Sequence, residues 1–147
     1  MKKNTKKRTE GLYIVIVGCG RIGSIIASHA SSAGTNVVIL DKDDNAFEAL
    51  ASDFTGFTIT GDATELEYLK EAKTDRANIL LALTAEDNTN FMIATVAKYY
   101  FGVNKVVARV NEPENEEIFK EFGVTIISPT MLMVEQIKSF LSSEGAL

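Results

Sequence analysis

The chain has one cysteine (Cys19), one histidine (His29), two prolines and no tryptophan in 147 residues. A lone cysteine cannot build a disulfide framework or a multi-cysteine metal site within one chain, and such sparse thiol usage suits a reducing cytoplasm. No His-x-x-x-His or comparable ligand spacing occurs, so no metal site is expected. His29 falls within a predicted helix ahead of Gly34 and reads as a surface or partly packed residue rather than a catalyst. No apolar run approaches the roughly 18 residues that argue for a membrane-crossing helix, and the run at 12–17 is too short for a signal peptide despite the basic stretch before it. A net charge of −5 makes nucleic acid an unexpected partner.

What is present is ordinary for a globular domain: 46% apolar and 24% charged residues, and a length sufficient to bury one core. Charge is unevenly spread. Lys2, Lys3, Lys6, Lys7 and Arg8 stand together with no acid among residues 1–8. Residues 1–10 are therefore expected to be a solvated, disordered tail, with contact to anionic lipid or an acidic partner as the alternative.

Beyond the tail, short apolar runs alternate with helical patterns. Strands are predicted at 12–17, 36–41, 57–60, 78–83, 105–110 and 124–127, several of them continuous β-branched runs as in strands buried on both faces. Helices are predicted at 21–33, at 47–54 (Phe47, Leu50, Ala51 and Phe54 on one stripe), at 64–72, at 86–101, from Pro113 to about Gly123, and from Pro129 to about Leu141. Both prolines suit a first helical turn. This alternation predicts an α/β fold of the Rossmann type: a doubly wound, parallel, six-stranded sheet in the order 3-2-1-4-5-6, in a single domain spanning 11–141, with 142–147 as a C-terminal tail.

The chemistry-bearing motif is Gly18-Cys19-Gly20-Arg21-Ile22-Gly23, directly after the first strand and opening a helix. Gly18 permits a tight turn, Gly20 lets backbone approach a pyrophosphate, and Gly23 lets helix and strand pack closely. A helix N-terminus there offers N–H groups and partial positive charge to phosphate. Asp41, 23 residues after Gly18 at the end of the second strand, is placed to accept from ribose hydroxyls and to repel a 2′-phosphate. The expected ligand is thus NAD(H) or another nucleotide with a free adenosine ribose, not NADP. Arg21 reads first as a phosphate contact and otherwise as a solvated helix start. Cys19 reads as structural, although a helix N-terminus can lower a thiol pKa. The loops Gly61-Asp62-Ala63-Thr64 and Thr84-Ala85-Glu86-Asp87-Asn88-Thr89-Asn90 leave neighbouring strand ends, and Thr64 with Glu67 has capping-box spacing. Glu112, Glu114 and Glu116 are explained equally by a solvated helix start.

Together with Tyr13–Gly23, Asp41 and Val107-Ala108-Arg109-Val110, these loops resemble the regulator-of-potassium-conductance domain, also called the KTN or TrkA N-terminal domain, over about residues 11–141. The resemblance implies a cytosolic, nucleotide-sensing regulatory subunit that binds NAD(H), ATP, ADP or AMP and gates a membrane-embedded potassium channel or transporter. It further implies homodimers, often through a swapped final helix, stacked into rings at the inner face of the membrane. Carried over by position, it implies phosphate contacts from Gly18, Gly20, Arg21 and Gly23, with Cys19 and Ile22 in the same loop. Asp41 would hold the ribose with Lys42 beside it, and Asp62 and Ala63 would flank the adenine. Thr84 and Asn90, with Ala85 in their loop, would line the far side, and Arg109 would point to the phosphate or nicotinamide end from its own or a neighbouring subunit. The ligand-binding domain that often follows in this family would be missing after residue 147, so the chain is either a single-domain subunit or a fragment.

Two helices are apolar on more than one stripe: 91–101 with Phe91, Met92, Ile93, Val96, Tyr99, Tyr100 and Phe101, and the final one with Met131, Leu132, Met133, Val134, Ile137, Phe140 and Leu141. Such width asks for a second surface, hence a dimer rather than a monomer with a generous core. Two other functions fit the glycine loop. One is an NAD-dependent oxidoreductase, against which stands the lack of an evident general acid or base and of a substrate domain. The other is an interaction domain whose nucleotide is only structural.

Overall fold

A computed structural model describes residues 11–147; the basic tail inferred for 1–10 lies outside them. The strands are β1 (Tyr13–Val17), β2 (Asn36–Asp41), β3 (Phe57–Thr60), β4 (Ile79–Ala82), β5 (Lys105–Arg109) and β6 (Thr125–Ile127). They form one parallel sheet in the order β3-β2-β1-β4-β5-β6, as expected. The helices are α1 (Arg21–Ser32), α2 (Leu66–Glu71), α3 (Asp87–Thr95), α4 (Glu116–Glu121) and α5 (Pro129–Ser143).

The inner strands of the sheet are buried on both faces, while the edge strands β3 and β6 are largely exposed. Successive residues Val15 and Ile16 of β1 are both fully buried, one in the cluster with Leu40, Leu80, Ile93 and Phe119, the other in the cluster with Val37, Ile39 and Ala27. That is why these strands read as continuous apolar runs rather than alternating ones. Strand order reverses between β1 and β4, which opens a crevice at their carboxyl ends.

Several predicted helices differ from expectation for local reasons. Residues 47–54 form no α-helix; a 3₁₀ turn, Asp44–Ala49, stands there instead. The Ser28 hydroxyl of α1 accepts from Ala51 N–H (3.0 Å) and that of Ser31 from Thr55 N–H (3.0 Å), while Asp43 accepts from Asn45 N–H (3.0 Å). Side chains thus take backbone donors that a helix would use. Phe47, Leu50 and Phe54 still pack on the core, but Ala51 is exposed. The capping box at Thr64 does not form: its hydroxyl and N–H both donate to Asp62 Oδ1 (2.6 and 2.9 Å), and α2 starts only at Leu66 with no side-chain cap. The helix expected at 86–101 is α-helical to Thr95 and then a π-helix over Val96–Tyr100. Thr95 Oγ1 donates back to the Phe91 and Met92 carbonyls (2.8 and 3.0 Å) at the point where the register changes. Pro113 opens a 3₁₀ turn (Pro113–Asn115) before α4, and α5 runs on to Ser143, into the expected tail.

A candidate nucleotide crevice at the carboxyl ends of the strands

The turn from β1 into α1 is set by its glycines. Gly18 has φ +103° and its N–H donates to the Leu40 carbonyl (2.8 Å), docking the loop on β2. A Cβ there would meet the Leu83 and Thr84 backbone at 2.9 Å, and one at Gly23 would fall within the radius of the Gly18 carbonyl oxygen. Gly20 differs: a Cβ would meet nothing within 4 Å. The space beside Gly20 is open, next to an α1 N-terminus with no side-chain cap and no acid in its first turn. Uncapped N–H groups facing open space are what an anion requires.

Asp41, half-buried, joins β2 to this loop. Its Oδ2 accepts from Cys19 N–H (2.8 Å) and its Oδ1 from Asp43 N–H (2.9 Å). An ionised carboxylate has about four acceptor sites, so room remains for ribose hydroxyls. The sequence suggests the ribose role for Asp41; its second role, ordering the glycine loop, appears only in the structure.

A cleft of ≈ 440 Å³ brings together Gly18, Gly20, Asp41, Lys42, Asp62, Ala63, Thr84, Ala85 and Arg109. Five predicted residues are placed elsewhere. Arg21 and Ile22 are exposed beside the cleft without lining it, and Gly23 is buried under the turn. Cys19 is buried, its thiol donating to the Ala46 carbonyl (3.4 Å). Burial, with the Asp41 charge beside it, pushes that thiol up to about 11, opposite to the lowering a helix N-terminus can cause. Cys19 faces Asp41 with its N–H, not with its sulfur.

Asn90 does not line the crevice. It is fully buried: Oδ1 accepts from Thr84 N–H (3.0 Å) and Thr84 Oγ1 (2.6 Å), and Nδ2 donates to the Thr84 and Arg109 carbonyls (both 2.9 Å). Its amide is saturated, clasping two crevice-lining residues from behind. Thr89 and Ile93, one turn apart on α3, also line the cleft; only their i, i+4 spacing on the crevice-facing helix signals this. In the loop after β3, Thr64's hydroxyl and N–H hold the Asp62 carboxyl below the usual carboxylate range, with Lys42 adding favourable charge.

A larger cleft, ≈ 680 Å³, opens at the amino ends of the strands between Tyr13, Val38, Phe57, Ile59, Lys73 and Arg76. Gly56 lines it, but among its lining residues no glycine loop runs from a strand into an α-helix and no acid stands at a strand's carboxyl end, so volume does not single out the site. Among the described residues no group of three or more His, Cys, Asp or Glu is arranged to hold a metal ion, and no helix is long and apolar enough to cross a membrane.

Comparison with known proteins agrees with this geometry. The TrkA-N domain model matches residues 14–129. The chain is 33% identical over 135 residues to the Trk system potassium uptake protein TrkA of Streptomyces coelicolor, covering 92% of this chain and 60% of that protein. The chain thus spans less than two thirds of the length of that curated relative. In fold it is similar to the GsuK channel bound to NAD (TM-score 0.77, 24% identity, 93% of this chain and 24% of that one). It is also similar to the AMP-bound Kef C-terminal domain of Shewanella denitrificans (TM-score 0.71, 22% identity, 85% and 76%). On the family match over residues 14–129 and the identity to TrkA, the chain belongs to the TrkA-N domain family.

Proposed function

We propose that this domain binds NAD(H) or an adenine nucleotide (AMP, ADP or ATP) in the carboxyl-end crevice and thereby regulates a membrane-embedded potassium channel or transporter. One observation carries the binding half: the uncapped α1 N-terminus, the open space at Gly20 and the Asp41 carboxylate converge in one cleft. The backbone of residues 18–23 would hold phosphate, Asp41 the ribose, and Asp62 with Ala63 the adenine. Thr84, Ala85 and Arg109 would close the far side.

The regulatory half is supported by kinship with a potassium uptake protein and by the NAD-bound channel that shares the fold. A non-catalytic role fits His29, the chain's one histidine, lying exposed in the last turn of α1 away from the crevice. Working through such a partner places the domain at the cytoplasmic face of the membrane.

The same reading assigns α5 to a homodimer or ring. No residue of α5 is buried, and Leu132, Ile137 and Phe140 are 62%, 52% and 64% exposed, with Met133 and Val134 beside them. Fully burying such a side chain stabilises by about 1.5–3 kcal/mol, so a second copy covering this helix would gain substantially.

Thermal unfolding of the purified chain with NADH, NAD, ATP, ADP, AMP and NADP, each in turn, tests the binding. A ligand at 100 times its dissociation constant adds about 2.7 kcal/mol. The proposal expects stabilisation by at least one ligand with a free adenosine ribose and none by NADP. Stabilisation by NADP alone, or by none in protein free of copurified nucleotide, contradicts it.

A further inference from the structure

We propose that Asn111 is a positioning residue that couples the crevice to α5, so that an anion drawn to Arg109 changes how the first turn of α5 is held. The inference rests on the crevice being the nucleotide site and adds the route by which its occupancy reaches the exposed helix.

Asn111 stands two residues past Arg109, where the chain leaves β5, and its polar groups point to four different segments. Its Oδ1 accepts from Arg109 Nε (2.8 Å) and its Nδ2 donates to the Ala85 carbonyl (2.8 Å); Arg109 and Ala85 both line the crevice. Its N–H donates to Asp87 Oδ1 (2.7 Å) at the start of α3. Its carbonyl accepts from Thr130 Oγ1 (2.9 Å), on the second residue of α5. Among the described residues this is the one side-chain hydrogen bond that joins α5 to another element.

Asn111 is anchored on the α3 side. Asp87 also accepts from Glu112 N–H (3.0 Å) and Asn115 Nδ2 (2.9 Å). Burial pushes this carboxyl upward, but the hydrogen bonds from Asn111, Asn115 and Glu112 together outweigh it and hold Asp87 below the usual range, hence charged. With its N–H and Nδ2 held, Asn111 cannot simply follow Arg109. A guanidinium turning toward an anion in the crevice must either release Asn111 Oδ1 or twist residue 111, and the carbonyl carrying Thr130 belongs to that residue. α5 is poised to respond, because none of its side chains is buried against the domain.

A ligand shifts such an arrangement only by its differential affinity for the two positions of α5, and linkage makes the coupling reciprocal, typically roughly 5–150-fold. The amide matters: Asn111 accepts from Arg109 and donates to Ala85 from two different atoms of one side chain, and an ionised Asp would lack the donor.

The test is hydrogen exchange resolved along the full chain, with and without saturating AMP and, separately, NADH, in the wild type, in Thr130→Val and in Asn111→Ala. Thr130 is exposed and lines no part of the crevice, so Thr130→Val removes only the hydroxyl bond. In the wild type, nucleotide should protect residues 18–23 and change exchange over 130–140 at least about threefold. In Thr130→Val, protection at 18–23 and nucleotide affinity should be unchanged within about twofold, while the α5 response is lost. Asn111→Ala should lose the α5 response as well. An α5 response that persists at full size in both variants, or a wild type whose crevice is protected while α5 ignores the ligand, overturns the coupling alone. Absence of protection at 18–23 with both nucleotides overturns the binding reading and the coupling together.

Discussion

The two clefts of this domain lie at opposite ends of one sheet, and the smaller is the better site. The amino-end cleft holds ≈ 680 Å³ and the carboxyl-end crevice ≈ 440 Å³. At the larger, Phe57 is exposed and Ile59 half-buried beside the six-residue α2, and Lys73 and Arg76 at its rim are exposed. The smaller is built: glycines at Gly18 and Gly23 admit no Cβ, a carboxylate ties the loop to β2, and a saturated buried amide clasps the opposite wall. Parallel strands direct helix N-termini to their carboxyl ends, so fixed backbone dipoles gather there. Ligand chemistry follows those groups rather than empty volume.

The largest effect expected from breaking this contrast is at Gly23. Gly23→Ala drives a methyl into the Gly18 carbonyl and should cost about 4 kcal/mol or more, read as loss of the cooperative urea transition. Next is the clasp: Asn90→Leu strands the Thr84 N–H and the Thr84 and Arg109 carbonyls. Thr84 and Arg109 are half-buried, so the low end of the cost of an unsatisfied group, about 1 kcal/mol each, applies, and the variant should lose roughly 3 kcal/mol in the same assay. Asp41→Ala removes two loop hydrogen bonds and the proposed ribose acceptor, and calorimetric titration should show nucleotide affinity reduced about 10–100-fold, given about 1.5–3 kcal/mol for hydrogen bonds to a charged group.

Acid should separate the two ends as well. Asp62 and Asp87, both at the carboxyl end, have carboxyls held below the ordinary range. A depressed folded-state value contributes stability that is fully present above the unfolded value, about 3.9, and is lost as pH falls through the folded one. Exchange at acid pH should therefore rise first in loops 61–65 and 84–90, before the amino-end turns. The smallest effect is Lys73→Gly at the other cleft. Lys73 is left-handed (φ 53°), so relief of that strain and glycine's added chain entropy nearly cancel. Stability should change by less than about 1 kcal/mol, with nucleotide affinity unmoved.

How much of this is legible in the sequence divides along the same physical line. Strand runs, the glycine turn and Asp41 are local in sequence or set by fold-wide spacing, so all six strands, their order and most of the cleft lining are readable. Features made by distant partners are not. Ser28 and Ser31 capture Ala51 and Thr55 across more than 20 residues, which dissolves a well-patterned helix. Asn90, which the resemblance puts on the far wall of the crevice, is recognisable as a buried clasp only once β5 brings the Arg109 carbonyl against it. The apolar width of α5 is readable, and the structure gives its reason: none of its residues is buried and most of its apolar ones are exposed.

The most direct test of the central claim is a backbone amide spectrum of the folded chain titrated with AMP and NADH, with NADP as the control. Shifts confined at first to residues 18–23, 41–42, 61–64 and 84–85, saturating with AMP or NADH and absent with NADP, are predicted. Shifts centred instead on Val37, Phe57, Lys73 and Arg76, or a spectrum that ignores AMP and NADH, would contradict the account.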